Sequence, residues 1–408
     1  MVSSPWRIPS ARNLLIARGI SGAGSWIQLT AAGWFVLQQT GSAAAVGVLA
    51  AITFAPRVIG APIGGWLADH HDILKVGTLL ALLRSISPLI IGVLIWDGEM
   101  PIPLLYALTL LGAIPGSLSS PIMAMLAPLA VPRELASVAI ADSAVVYNMS
   151  RVLGPLIASG LITFISIGGA FVINGLSYLF DAWVVNRAIL VTKRPNKPKS
   201  MRTPYLTDMR RGFGHVITRT AFLGALTFFG LVAPIQQLLP SVAATHGQHV
   251  FQLGILLAAI AVGGFIANPF IRRAFARGWS HGFMVNLAII ICGPVLMLLG
   301  RSSLIGVDIA LLVVLGAAWE SLWVGARSAI QIQLPPDITG RMLGLFFSVV
   351  TLGIAAGSLL LGYLFELIGT RTSLTAVGAV VSAYGIFAMF RIRGHIRHAN
   401  HSALPPGP

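Results

Sequence analysis

Asp69, His70, His71 and Asp72 stand side by side in GGWLADHHDILKV, residues 64–76. Imidazoles and carboxylates are metal-ligand types. On a helix the two adjacent histidines would point about 100° apart; in a turn all four groups could converge. A metal centre also needs fixed ligand spacing and a supporting shell, so the competing reading is a short polar turn. A second set of reactive groups is scattered through apolar sequence: Arg57, Arg84, Asp142, Arg151, Glu320 and Arg327. Carboxyls in apolar surroundings can exchange protons near neutral pH, which makes Glu320 the first candidate for that role and Asp142 the second. Glu320 and Arg327 are seven residues apart. That spacing puts them on one helix face, about 10 Å apart along its axis, too far to pair but able to line one cavity. The sequence has no G-x-x-x-x-G-K-[ST] loop for phosphates, no nucleophile elbow and no H-E-x-x-H. Soluble-type hydrolysis and ATP-driven work by this chain alone are therefore not expected.

The elements that hold these groups are set by composition. Of 408 residues, 56% are hydrophobic and 10% charged, with mean hydropathy +0.85; soluble domains carry roughly 25% charged residues. Repeated apolar runs are each long enough to cross a bilayer core of about 30 Å, whereas a membrane barrel would show short alternating segments. The expected fold is an all-α polytopic membrane protein of twelve helices. They fall near residues 13–38, 44–68, 76–96, 103–127, 136–163, 169–191, 219–243, 251–275, 282–300, 305–332, 342–366 and 372–392. The basic start, MVSSPWRIPSARN, leads into an uncleaved first span. With the N-terminus in the cytoplasm, loops and tails on that side hold most of the Lys and Arg, from Arg7 and Lys75 to Arg341 and Arg397. Only Arg301 and Arg371 fall opposite. This asymmetry is the positive-inside pattern; it explains the net charge of +15 without nucleic acid, and the same residues can touch anionic headgroups. Cys292 is the single cysteine, so neither an internal disulfide nor a thiolate metal site is expected. No cofactor is expected.

The chain divides in two. Residues 192–218, rich in Lys, Arg and Pro, read as a partly extended cytoplasmic linker. They separate a six-helix half at 1–191 from a second at 219–392, with a tail at 393–408. GGWLAD at 64–69 recurs as GGFIAN at 263–268, each read as the end of the second span of its half. Pro132 precedes Gly154 by the same interval at which Pro335 precedes Gly357. Parallel repeats of this kind are a transporter architecture, with the ligand site between halves near the midplane.

Charges at membrane depth are expensive and normally face the bundle interior or a wet cavity. Arg57 lies between Pro56 and Pro62, which free the carbonyls of Ile52 and Val58; it can hold that kink or attract an anion. Asp181 can pair with Arg187. Ser117, Ser119 and Ser120 could line a polar path or bond back to their own helix. Trp26, Gln28 and Trp34 are candidates for the cavity wall. Several arginines against few acids favour an anionic ligand.

TGSAAAVGVLA (40–50), GGWLADHHDILK (64–75), VPRELASVAIADS (131–143), NMSRVLGPL (148–156) and QLPPDITGRMLGL (333–345) together resemble the major facilitator superfamily, in its enterobactin-exporter-like efflux branch. The resemblance implies two six-helix bundles that rock about a central site. It implies a secondary exporter in the bacterial inner membrane, driven by protons and carrying a siderophore or another amphipathic small molecule. A multidrug pump and a non-transporting sensor or scaffold are the alternatives. A monomer with both termini in the cytoplasm is expected. The stretch Gly64, Gly65, Asp69, His70, Asp72 and Lys75 then becomes a conformational latch. The glycines let two helices approach, and Asp69 faces the N-terminus of the span beginning near Met342, a contact worth about 0.3–1 kcal/mol, up to roughly 2 when partly buried. Family arginines are replaced here by His70, Ile73 and Leu74, and His70 could make the latch pH-sensitive. Arg84 and Arg151 match positions where the family often carries Arg, and Gly154-Pro155 matches a helix-packing motif between halves.

Overall fold

Helix ends in this chain are written in its capping residues. Ser42, Asp72, Ser166 and Ser280 each accept from a backbone amide two or three residues on, as N-caps do. Gly41, at φ +65°, closes the first long helix with its amide on the Leu37 carbonyl. The structure, a computed structural model, describes residues 4–192, 205–247 and 249–401. Among the described residues all regular structure is helical.

The first half contains α1 (Pro9–Thr40), α2 (Ala43–Phe54), α3 (Arg57–His70), α4 (Ile73–Trp96), α5 (Ile102–Leu129), α6 (Ala136–Phe164) and α7 (Ile167–Asn186). Pro56 separates α2 from α3, so these two helices form one broken span. The second half begins with α8 (Tyr205–Gly214) and α9 (Val216–Thr227). A π-turn at Phe228–Val232 follows, then the short helices α10 (Pro234–Gln237) and α11 (Leu239–Ala244). Then come α12 (Val250–Ala276), α13 (His281–Arg301), α14 (Ile305–Gln333), α15 (Pro336–Ile368) and α16 (Thr370–His401).

Eleven candidate spans among the described residues are long and apolar enough to cross a membrane. The remaining expected span coincides with α1, whose Arg12, Arg18, Gln28, Gln38 and Gln39 dilute its hydropathy. Two findings concern the ends of elements. Within the basic connection Tyr205–Gly214 is helical, while residues 193–204 lie outside the described residues. The last helix also continues past residue 392 to His401.

The repeat is visible as packing. α4 lies against α7 at Gly92, where an added Cβ would meet the Gly168 carbonyl at 2.8 Å. α13 lies against α16 at Gly293, where one would meet the Gly378 carbonyl at 2.8 Å. Gly64 abuts the Leu118 backbone of α5, and its counterpart Gly263 abuts the Val313 backbone of α14. Glycine at each place lets two backbones approach closer than any side chain permits. The halves meet chiefly along α2–α3 on α15 and along α6 on α12, with smaller contacts of α1 and α2 on the α10–α12 segment.

Candidate functional site

The two ends of the molecule differ. At the end carrying Glu366, α1 and α2 close on the broken α9–α11 segment. Trp34, Phe35 and Val36 from one half and Ile235, Leu238 and Leu239 from the other are buried in a single core. Gly33 faces Pro240, with room for no more than a Cβ at 3.1 Å. Glu366, two residues before the end of α15, accepts from Ser42 Oγ at 2.6 Å and from the Ala44 amide at 3.2 Å. It thereby satisfies the first turn of α2 across the seam. At the opposite end, carrying Asp69, α5 and α14 do not pack on one another. Arg57, at the break between α2 and α3 and so midway along that span, is exposed although Arg84, Tyr147 and Tyr178 all lie within electrostatic reach. The contacts between α1–α2 and the α9–α11 segment thus close the Glu366 end, and the charged groups of both halves lie farther from it.

These charges form two groups. In the first half, the Arg57 guanidinium lies over the Phe54 ring, 4.6 Å from its centroid, and Arg84 over Tyr178 at 4.1 Å. Tyr178 Oη and Ser25 Oγ are hydrogen-bonded at 2.9 Å, and Asn174 donates to Gln28. Buried Asp181 sits within electrostatic reach of Arg84 and Arg18. The expected Asp181–Arg187 pair does not form: Arg187 lies over Trp183 at 4.6 Å. The second group bridges the halves. Arg151 of α6 lies over Trp26 of α1 at 5.8 Å and over Trp319 of α14 at 5.2 Å. Glu320 lies beside Asn268, whose amide donates to the Gly264 carbonyl at 3.1 Å, and is within reach of Arg151 and Arg327. Arg327 in turn lies over Trp323 at 5.4 Å and Phe347 at 5.7 Å.

Glu320, Arg327, Arg151 and Trp26 therefore come together, and Arg57, Arg84 and Gln28 form their neighbour group. Asp142 joins neither. It lies about 13 Å along α6 from Arg151 toward the Asp69 end, half-buried, with Oδ2 unpartnered. Trp34 belongs to the closed-end core and not to the cavity wall. Ser117 and Ser119 are buried and bond back to Ile114 and Gly116 of their own helix.

The Asp69 loop is a turn. Asp69, His70, His71 and Asp72 are all exposed, and among the described residues no three His, Cys, Asp or Glu side chains converge on a metal site. Asp72 caps α4 by accepting from the amides of Leu74 and Lys75. His70 bonds the Trp66 carbonyl at 2.9 Å and stacks on the Trp66 ring, which His71 meets edge-on. Lys75 is exposed on the first turn of α4.

Three details of the motif readings change. Only Gly64 makes a close helix contact, because Gly65 has nothing within 4 Å of an added Cβ. Asn268 does not end its helix as Asp69 ends α3. α12 runs on to Ala276, and this brings Asn268 to Glu320 instead of to a loop. Gly154 faces Trp26 within its own half, and it is the Pro155 carbonyl that meets Gly254 of α12 across the seam.

Sequence reading missed Glu366, Arg18, Tyr178 and Asn174 as site residues. It also missed the ion pairs of two buried aspartates, Arg341–Asp208, which docks α8 on α15, and His246–Asp308 at 2.6 Å. An acid two residues from a span end and an Asn inside a span were the available signals.

A family model described as "Transmembrane secretion effector" matches residues 2–405. The multidrug efflux pump Tap of Mycobacterium tuberculosis is 22% identical over 92% of each chain. The enterobactin exporter EntS of Escherichia coli is 25% identical, over 93% of this chain and 91% of its own. Among solved structures, a bacterial homologue of the human lysosomal transporter Spinster, inward-facing and unoccupied, superposes with a TM-score of 0.74. It is 16% identical and covers 93% of this chain and 97% of that one.

Proposed function

The chain belongs to the transmembrane secretion effector family, a branch of the major facilitator transporters, and we propose that it is a proton-coupled exporter working by alternating access. It is a membrane transporter and not an enzyme. The observation that carries the reading is that both halves contribute charged groups to one site between them, Arg151 of the first lying over Trp319 of the second. The positive-inside pattern puts the Asp69 end in the cytoplasm of a bacterial inner membrane and the closed Glu366 end outside, as in a conformation that loads an exported substrate. Glu320 is the coupling carboxyl of choice, because it stands between arginines of both halves and can exchange its proton for substrate during the rocking motion. The cargo is a siderophore or another amphipathic small molecule. Broad multidrug efflux is the second reading, favoured by the aromatic wall of Trp26, Trp319, Trp323 and Phe347. The test has two stages. Metabolite profiling of cells with and without the protein identifies a compound retained inside when it is lacking. Proteoliposomes under an imposed pH gradient then transport that compound, and Glu320→Gln uncouples its movement from the gradient. Lack of any retained compound, together with gradient-independent behaviour of the proteoliposomes, would leave a sensor or scaffold as the better account.

A further inference from the structure

Arg18, Arg57 and Arg84 come from three different spans, α1, the α2–α3 span and α4. Arg18 and Arg57 each lie within electrostatic reach of Arg84. One carboxylate, Asp181, answers Arg18 and Arg84. No ion pair within 4 Å joins any of the three to an acid among the described residues, and the Arg18 Nε is buried without an acceptor. Three like charges gathered at membrane depth against one acid are costly, yet their positions are fixed. Phe54 and Tyr178 hold two guanidinium faces, and Ser25, Asn174 and Gln28 brace Tyr178 and its helix. A guanidinium stacked on a ring keeps its in-plane N–H donors free, and that fork matches a carboxylate, phosphate or sulfonate. The second half offers ring faces at Trp319, Trp323 and Phe347, two of them beneath Arg327 and one beneath Arg151.

We propose that Arg18, Arg57 and Arg84 form an anion-binding site, and that the transported class is an organic anion with an aromatic or apolar body. The anionic group docks on the arginines of the first half, and the body lies against the aromatic wall of the second. Bridging ligands of this kind bind both halves at once, which couples occupancy to the closing of the halves on one another. The inference rests on the transport reading only for the route by which the anion arrives; binding tests the site by itself. The same chemistry exists in a phospholipid headgroup, so the test separates the two sources.

The full-length protein, in nanodiscs of phosphatidylcholine, is titrated with three probes sharing one ring: 2-naphthoate, 2-naphthylmethanol and 2-naphthylmethylammonium. Calorimetry is expected to show 2-naphthoate binding about tenfold or more tightly than the ammonium probe. Arg57→Gln and Arg84→Gln should each weaken 2-naphthoate about tenfold while leaving 2-naphthylmethanol unchanged, which also shows that the variants are folded. In discs of phosphatidylglycerol, competition that weakens 2-naphthoate further marks the lipid phosphate as an occupant of the same anion site. The site is overturned if the ammonium probe binds as tightly as the carboxylate, if both variants bind 2-naphthoate normally, or if none of the three binds. Gradient-driven flux in proteoliposomes remains a separate measurement, so failure here leaves the exporter reading standing.

Discussion

A carboxylate stands near the end of a long helix at each end of the molecule. Asp69 stands in the last turn of α3 and Glu366 in the last turn of α15, one from each half. Glu366 reaches across the seam and satisfies the first turn of α2. The resemblance gives Asp69 the equivalent partner, the start of α15. In this structure, however, Met342 on α15 is buried and faces Gly212 of α8, while Asp69 is exposed. At the Glu366 end the halves hold each other through this contact; toward the other end α15 lies against both α3 of the first half and α8 of its own. A carboxylate facing a helix N-terminus is a contact that can be made at one end at a time, and its small strength suits a motion that must reverse.

Gly47 and Gly65 should respond most differently to an added methyl group. An added Cβ at Gly47 runs into the Ser358 backbone across the α2–α15 seam, whereas Gly65 faces open space. Gly47→Ala should open the closed end. Overpacking of about 1–3 kcal/mol is enough to move the balance on the order of tenfold or more. Flux should fall accordingly, and a cysteine replacing buried Ser241 of α11 in a Cys292→Ser background should become labelled by a maleimide. Gly65→Ala, with a better helix former in open space, should leave both readouts as they are. Equal effects of the two changes would sink the distinction between the ends.

Asp208→Asn comes next. Asp208 is buried and paired with Arg341, and loss of a charged hydrogen bond should lower thermal stability by about 1–3 kcal/mol. Because both partners belong to the second half, the labelling pattern of the two ends should not change. Glu366→Gln should do the reverse. Its contact is exposed and crosses the seam, so stability should hardly move. The population closed at that end should fall roughly two- to fivefold, as expected for about 0.3–1 kcal/mol. Distances measured by spin labels at the ends of α2 and α15 separate the two outcomes.

How much of this was legible follows from the range over which each interaction acts. Spans, turns and caps are local, so the apolar runs, Asp72 as a turn residue and the internal repeat stood in the sequence. The bilayer enforces that legibility, since every backbone group must be satisfied within its own helix. Glu320 and Arg327 were readable as one face because both lie on α14. That Arg151 joins them, and that Arg18 lies near Asp181 rather than alone, depends on how separate helices rotate and pack. Glu366 and Ser42 lie 324 positions apart; nothing local in either marks the other. The two Gly-Gly pairs show the same limit from the other side. The pattern located a close helix contact, and only the packed helices reveal that Gly64, not Gly65, makes it.

His70 gives the smallest expected effect and the finest test of the comparison. It stands where the family carries an arginine beside Asp69, yet here it bonds the Trp66 carbonyl and stacks on the Trp66 ring, on the surface of its own helix. An exposed contact of that kind contributes little, so His70→Ala should change stability by no more than about 0.5 kcal/mol. Because His70 bonds within its own helix, His70→Ala should leave the distribution between the two ends as it is. His70→Arg restores the family's charge next to Asp69, and its effect should appear only when that end closes. The expected result is a slower return to the open form in single-molecule distance traces, with the closed Glu366 end unaltered. A shift in the Glu366-end distances on either substitution would mean that the two latches are not independent, and that the loop senses the far end through the rigid halves rather than through its own contact.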